Sequence, residues 1–338
     1  MASHIFLLIF MVSPLTEVKL ENRGRYLGYL GPSRVYLNQD GTYMAATQYH
    51  LWHWDREGKV INILGDKGEG PGEFVNLGEA LWTGEHYWLV DASLIRSSVF
   101  SATGDYLAKS PVFFRQFVRV KDRLLAVDLS RFRGRSDTYP PVLVEVDYRI
   151  EPGGDLIVEK SPHAWRKATE AQGKLQNNFK LLWVAHRDGR YLVMDQLEPR
   201  IQIYDAQTME AEREIPDGKP FEAKFIPLLL RDFVPHPDRW PPTRLSFRDM
   251  RDWFNAWSRI TWFGELGADF AVAYTVPNGD KLESPLQYVV RVGPNGRMIG
   301  EPVVYDGYFM GIHDGKATVF FDNEENQEFV YTIRTYDL

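Results

Sequence analysis

Gly84-Glu85-His86-Tyr87-Trp88-Leu89-Val90-Asp91 is a turn followed by a short apolar run that closes on an acid. Ser98-Val99-Phe100 and the turn Ala102-Thr103-Gly104-Asp105 come next. Short β-rich runs bounded by Gly, Asp and Asn are how a hairpin reads, because Gly and Asn tolerate the positive φ of tight turns. The unit recurs in both directions. Upstream it is Asp40-Gly41-Thr42-Tyr43-Met44-Ala45-Ala46 with Leu51-Trp52-His53-Trp54-Asp55. Downstream it returns at 121–128 with 142–147, at 188–195 with 201–205, at 267–274 with 288–292, and at 313–322 with 328–333.

Six copies of a strand pair disfavour helical repeats. A four-stranded blade takes about 40 to 45 residues, so six occupy roughly 260 and leave about 80 for an N-terminal stretch and two insertions. The fold class is therefore all-β: a six-bladed β-propeller closed by strands from both termini. The sixth copy runs out at Leu338 without an outermost strand. A segment between Thr16 and Leu30, such as Arg25–Leu30, is expected to supply it and so remove an open sheet edge.

The 338 residues carry 39 Lys plus Arg against 46 Asp plus Glu, a formal charge of −7, and no Lys/Arg cluster. Nucleic-acid binding through bulk charge is excluded on that basis. Cysteine is absent, which removes disulfides, thiolate nucleophiles and zinc–thiolate sites. The apolar run Ile5–Val12 is too short to span a bilayer, so no membrane-spanning segment is expected. Residues 1–15 read as a signal-like or disordered segment, although Met1-Ala2-Ser3-His4 lacks a basic residue, and residues 16–338 as one propeller domain. A periplasmic or extracellular location follows from the signal-like reading.

Leu64-Gly65-Asp66-Lys67-Gly68-Glu69-Gly70-Pro71-Gly72-Glu73-Phe74, after the turn Trp54-Asp55-Arg56-Glu57-Gly58-Lys59, resembles the bacterial six-bladed β-propellers related to NHL repeats, the TolB-like group. The similarity is strong from Pro32 to Lys109 and thins to a rhythm beyond. Many members of that group are secreted or surface-attached, so the resemblance implies fold more than reaction. In physical terms Gly68, Gly70, Pro71 and Gly72 let the chain leave one blade and cross to the next. The competing reading is a nest of N–H groups that holds an anion with help from Lys67, against which Glu69 and Glu73 argue.

Two insertions are expected, 159–176 and 216–259, the second between blades 4 and 5. It is proline-rich and then helical: Ser246 caps, and Phe247, Met250, Phe254 and Trp257 form one apolar stripe with Trp253 beside it. Trp253 and Trp257 are candidate ligand-binding residues, as plates for a sugar-like or apolar ligand. His186 and His313 stand near the ends of innermost strands and are candidates for the channel. His50 and His53 do not make a metal pair, because residues three apart on a strand face opposite ways. Asp91, Asp128, Asp195 and Asp322 close equivalent strands and read as turn residues. No metal site, cofactor or catalytic motif stands out. The leading expectation is a non-enzymatic propeller that binds a small molecule, glycan or protein on its crossover-loop face. The alternative is a metal-dependent hydrolase or lyase with calcium or another divalent ion in the channel, which needs carboxylates converging on the innermost strands.

Overall fold

The computed structural model describes residues 14–23, 27, 34–110, 114–120, 123–128, 143–152, 154–164, 182–195, 201–208, 210–215, 258–278, 285–325 and 328–338. Strand β1 (Thr16–Lys19) precedes blade 1, made of β2 (Val35–Leu37), β3 (Tyr43–Ala46), β4 (Leu51–Trp54) and β5 (Val60–Leu64). A short parallel pair, β6 (Asp66–Lys67) and β7 (Glu73–Phe74), lies in the crossover that follows. Blade 2 is β8 (Leu77–Trp82), β9 (His86–Asp91), β10 (Arg96–Ser101) and β11 (Tyr106–Ser110). Blade 3 is β12 (Phe114–Val120), β13 (Arg123–Asp128), β14 (Leu143–Ile150) and β15 (Leu156–Ala164). Blade 4 is β16 (Leu182–Arg187), β17 (Arg190–Asp195), β18 (Ile201–Asp205) and β19 (Ala211–Ile215). Blade 5 is β20 (Arg259–Leu266), β21 (Asp269–Val276), β22 (Leu286–Val292) and β23 (Met298–Tyr305). Blade 6 is β24 (Tyr308–His313), β25 (Lys316–Glu325), β26 (Glu328–Asp337) and, as its fourth strand, β1.

The six hairpins read from sequence are the second and third strands of the six blades. First strands of neighbouring blades touch around a ring: β24 with β2 and β20, β16 with β20 and β12, and β12 with β8, which meets β3 of blade 1. The second strands are apolar because both of their faces are covered. Along β21, Phe270, Val272, Tyr274 and Val276 enter the core between blades 4 and 5, while Ala271 and Ala273 enter the core between blades 5 and 6. Along β9, Tyr87 and Leu89 face blade 1, and Trp88 and Val90 face blade 3. Six hydrophobic clusters result among the described residues, one in each gap between blades.

Turn chemistry sets the register. Asp188-Gly189 (φ 50° and 73°) and Asp314-Gly315 (φ 51° and 74°) are two-residue turns with both φ positive. They join Arg187 to Arg190 and His313 to Lys316, the geometry that Asp-Gly favours in hairpins. Arg187 then braces blade 4 against blade 5. Its guanidinium donates to the carbonyls of Gly267, Ala268 and Asp269 at 3.0, 2.7 and 2.7 Å.

The ring closes through β1, with Thr16 opposite Thr335 and Lys19 opposite Thr332. The closing strand thus precedes the Arg25–Leu30 segment singled out in the sequence. An outermost strand is largely solvated, so the polar Thr16-Glu17-Val18-Lys19 suits it better than a richer apolar run. Leu27 instead sits in the core between blades 6 and 1, its N–H donating to the Tyr331 hydroxyl at 2.9 Å. The first expected insertion also begins later than read: residues 159–164 complete β15, and 165–176 lie outside the described residues. Of the second insertion, 216–257 lie outside them too, including the expected helix with Trp253 and Trp257. Residues 1–13 do as well.

Thr16 and Thr335 bring their hydroxyl oxygens to 2.6 Å across the seam. In a chain without cysteine, the double substitution Thr16→Cys and Thr335→Cys should oxidise to a single bridge. It would close nearly the whole chain and raise stability by as much as about 5 kcal/mol. A denaturant midpoint that rises on oxidation and falls back with dithiothreitol is the expected result.

Candidate functional site: the central channel

All six first strands line one cavity of about 870 Å³ on the ring axis. Each runs from the crossover face toward the hairpin turn that leads to its second strand, so the turn-side ends of the first strands gather at one mouth. In blades 2, 3, 5 and 6 the first strand slips by one residue against the second, skipping Gly78, Arg115, Thr261 and Met310. Such bulges bend a strand and re-aim a side chain. Thr261 and Met310 are on the cavity wall.

At the turn-side mouth, blades 1 to 3 are knit together. Gln39 Nε2 donates to the Arg119 carbonyl at 3.2 Å, and Trp82 Nε1 donates to Asp40 Oδ2 at 2.9 Å. Burial alone would push the Asp40 carboxyl up. Hydrogen bonds from the Thr42 hydroxyl and N–H and from the Trp82 indole outweigh it and hold the group below the usual carboxylate value.

Behind Asp40 a relay of side chains runs back between blades 1 and 2. Asn62 Nδ2 donates to the Tyr87 hydroxyl at 2.8 Å, which donates to His53 Nδ1 at 2.7 Å. His53 Nε2–H donates to Thr42 Oγ1 at 2.8 Å, and the Thr42 hydroxyl donates to Asp40 Oδ1 at 2.6 Å. This order of donors requires a neutral imidazole protonated on Nε2. Burial holds the His53 pKa down to about 4, against the pull of Asp40 and Asp55. His50 takes no part; its Nε2 lies 3.6 Å from Asp66.

Several charged groups of the wall have neighbours in the protein. Glu265 accepts from Arg187 at 3.3 Å, and Asp314 lies 3.4 Å from His313 Nε2. Glu79 and Arg119 also have partners. Among the described residues no three His, Asp or Glu come together as a metal-binding group. Trp183 Nε1, His186 Nδ1, Thr261 Oγ1 and His313 Nε2 are buried without a hydrogen-bond partner among the described residues; Trp183 packs toward the core between blades 4 and 5, and His186 lies against the Tyr191 ring.

The structure divides the sequence-derived candidates. His186 and His313 both line the channel, at its turn-side mouth. The reason is strand direction: every first strand leaves the crossover face at its start. Lys67 is on that opposite face, in the crossover itself, with its ammonium 5.6 Å from the Tyr49 ring. The glycine run there has a structural job. The Glu73 carboxylate fills the turn from inside, accepting from Gly70 N–H at 2.7 Å and lying where a Cβ on Gly68 or Gly70 would sit. An acid of the chain thus occupies the place an anion would take. Arg96 clamps the same loop through the carbonyls of Glu69, Gly70 and Glu73 at 2.8, 2.9 and 2.7 Å. Asp91, fully buried, accepts from the N–H groups of Val75 and Asn76 in the crossover and of Ser93 and Leu94 in the next turn. Trp183 and Thr261 escaped the sequence reading. Trp183 belongs to a strand read only as apolar, and β20 has no turn signal ahead of it.

No family model matches the sequence, and no curated protein does either. The chain is similar in structure to a putative exported protein of Bacteroides fragilis NCTC 9343, with TM-score 0.57, 14% identity, and 96% of this chain and 94% of the other covered. It is also similar to a member of the duf4221 family from Bacteroides vulgatus ATCC 8482, with TM-score 0.55, 8% identity, and coverage of 97% and 98%. A chain of a mitotic checkpoint complex matches at TM-score 0.50 and 9% identity over 100% of this chain and 96% of that one. These likenesses establish the propeller fold and nothing about the ligand. No helix among the described residues is long and apolar enough to cross a membrane.

Two outcomes follow from this geometry. Glu73→Ala should lower stability by about 1–3 kcal/mol, because it strips the acceptor from a part-buried N–H, while Lys67→Ala should change it little; urea unfolding measures both. With its folded pKa near 4, His53 takes up a proton in the unfolded chain first. Stability is therefore full above about pH 6.5 and falls by about 3 kcal/mol as the pH drops to about 4. His53→Gln should flatten that part of the pH–stability curve relative to the unsubstituted chain.

Proposed function

We propose that the chain is a non-enzymatic binding propeller of the NHL-related, TolB-like kind, working outside the cytoplasm and taking its ligand in the central channel. One observation carries the binding reading: a channel of about 870 Å³ on the ring axis, walled by apolar, aromatic and polar side chains from all six first strands. The glycine-rich crossover Gly68–Phe74 supports the family reading. The apolar run Ile5–Val12 and the likeness to a putative exported protein support the location.

The ligand is expected to enter from the crossover side. There the bulged residues Thr261 and Met310 reach the wall, and no bond like that of Gln39 to Arg119 bridges the channel among the described residues. A thermal-shift screen of chemically diverse small molecules tests the proposal, using the unsubstituted chain and a Thr261→Trp variant that narrows the channel. A compound at about 100 times its Kd should stabilise the unsubstituted chain by about 2.7 kcal/mol, an upward shift of a few degrees, and should not shift the variant. Equal shifts in both proteins would place binding outside the channel and overturn the reading.

A further inference from the structure

One aromatic side chain is built into the channel wall as a plate. Trp262 reaches from β20 across the gap to β24, where two glycines make room for it: a Cβ on Gly264 would strike its six-membered ring, and one on Gly311 would come within 2.9 Å of its indole nitrogen. The Phe309 ring meets it at a steep angle, with centroids 5.4 Å apart. The indole is thus backed by the protein, while the residue stays partly exposed and lines the channel. A tryptophan face carries the negative part of the ring quadrupole and attracts a cation placed over it.

The charges of the wall point the same way. Its Arg and His residues, Arg119, His186 and His313, all stand in the last two positions of their strands, at the turn-side mouth. The crossover half holds one carboxylate, Glu79, and no Lys, Arg or His among the described residues. Glu79 is third in β8 and Trp262 fourth in β20, and blades 2 and 5 stand opposite each other in the ring, so carboxylate and plate lie near one level across the axis. Glu79 has a partner of its own in the protein, so it acts through the field it sets up between low-dielectric walls and not as an empty contact. The formal charge of −7 on the whole chain biases approach in the same sense.

An organic cation fits this wall better than a metal ion. A metal ion needs several oxygen ligands to replace its water, and no three His, Asp or Glu come together among the described residues. Between the level of Trp262 and the turn-side mouth the wall is aliphatic, with Leu37, Leu81, Val118 and Ile312 partly exposed. Such a belt suits an apolar body joined to a weakly hydrated head. We infer that the crossover half of the channel takes an organic cation, a substituted ammonium with an apolar body, whose charged head lies on the Trp262 indole in the field of Glu79. The inference rests on the channel-binding reading given above and narrows it to one ligand class.

Isothermal titration with choline, phenyltrimethylammonium and benzyltrimethylammonium tests it, with dimethylbutanol, the uncharged carbon isostere of choline, and benzoate as comparators. At least one ammonium should bind, and choline should bind about tenfold more tightly than its isostere. Trp262→Leu, which keeps apolar bulk and removes the ring face, should weaken ammonium binding about tenfold, and Glu79→Gln should weaken it several-fold. Added salt should weaken the unsubstituted chain more than Glu79→Gln. Lys67→Ala, off the channel wall, should change little. The comparison of choline with its isostere needs no variant, so a loss of fold in Trp262→Leu leaves the test intact. Equal or tighter binding of dimethylbutanol or benzoate, or an ammonium affinity indifferent to either Trp262→Leu or Glu79→Gln, would overturn the inference. If no ammonium binds but another compound gives a thermal shift that Thr261→Trp abolishes, the cation assignment fails and channel binding stands. If neither occurs, both fail.

Discussion

A strand whose alternate residues are all apolar has two faces to hide, and a single sheet packed on one side can hide only one. The second strands of this chain carry that demand. Every residue of β21 from Asp269 to Val276 is buried, large side chains on one face and alanines on the other. The demand is met when each sheet has a neighbour on both sides, and the arrangement has no end unless it returns to its start. The ring is thus the consequence of burial alternating with period two, repeated six times. The seam at β1 and β26 exists because the last sheet would otherwise expose an unpaired edge beside its apolar faces.

Packing of that kind uses up most of each blade and leaves function to its margins. Rim strands are solvated and polar, as β1 and β19 are. Crossovers are constrained by their own closure: Glu73 inside the glycine turn, Arg96 on its carbonyls and Asp91 beneath the next turn make that face of blades 1 and 2 a fastened joint. The first strands keep one edge free toward the axis, and in four blades of six they are bulged against the second strand.

How much of this was legible in the sequence follows from the same logic. Second strands were plain because double-sided burial writes a continuous apolar run between turn residues, as in Tyr87-Trp88-Leu89-Val90. The closing strand fell within the expected window Thr16–Leu30, but its exact place did not show, because a rim strand such as Thr16–Lys19 carries little hydrophobic pattern. His186 and His313 could be read as channel-facing from their place at the ends of innermost strands, but the mouth they line could not, since the direction of a first strand is a property of the whole ring. Trp183 and Thr261 could not be singled out at all. A tryptophan in an apolar strand reads as core, and whether its N–H finds an acceptor depends on a neighbouring blade about 80 residues further along the chain. At 8–14% identity the similar structures share the fold, so they speak to the ring and not to its contents.

The relay from Asn62 through Tyr87, His53 and Thr42 to Asp40 gives the two halves of the channel different characters. It anchors the mouth on blades 1 and 2 to a neutral imidazole inside the core, so that wall is fixed before any ligand arrives. A fixed wall lowers the entropy lost on binding, because fewer side chains must be ordered when the ligand is enclosed. Blades 4 and 5 have no such relay among the described residues on the axis; there Trp183 itself packs against the core between the two blades. Trp183 and Thr261 are therefore held in place by packing rather than by hydrogen bonds of their own. One side of the channel is thus held by hydrogen bonds and the other by packing, and a wall held on both sides has few side chains left to order when a ligand is enclosed.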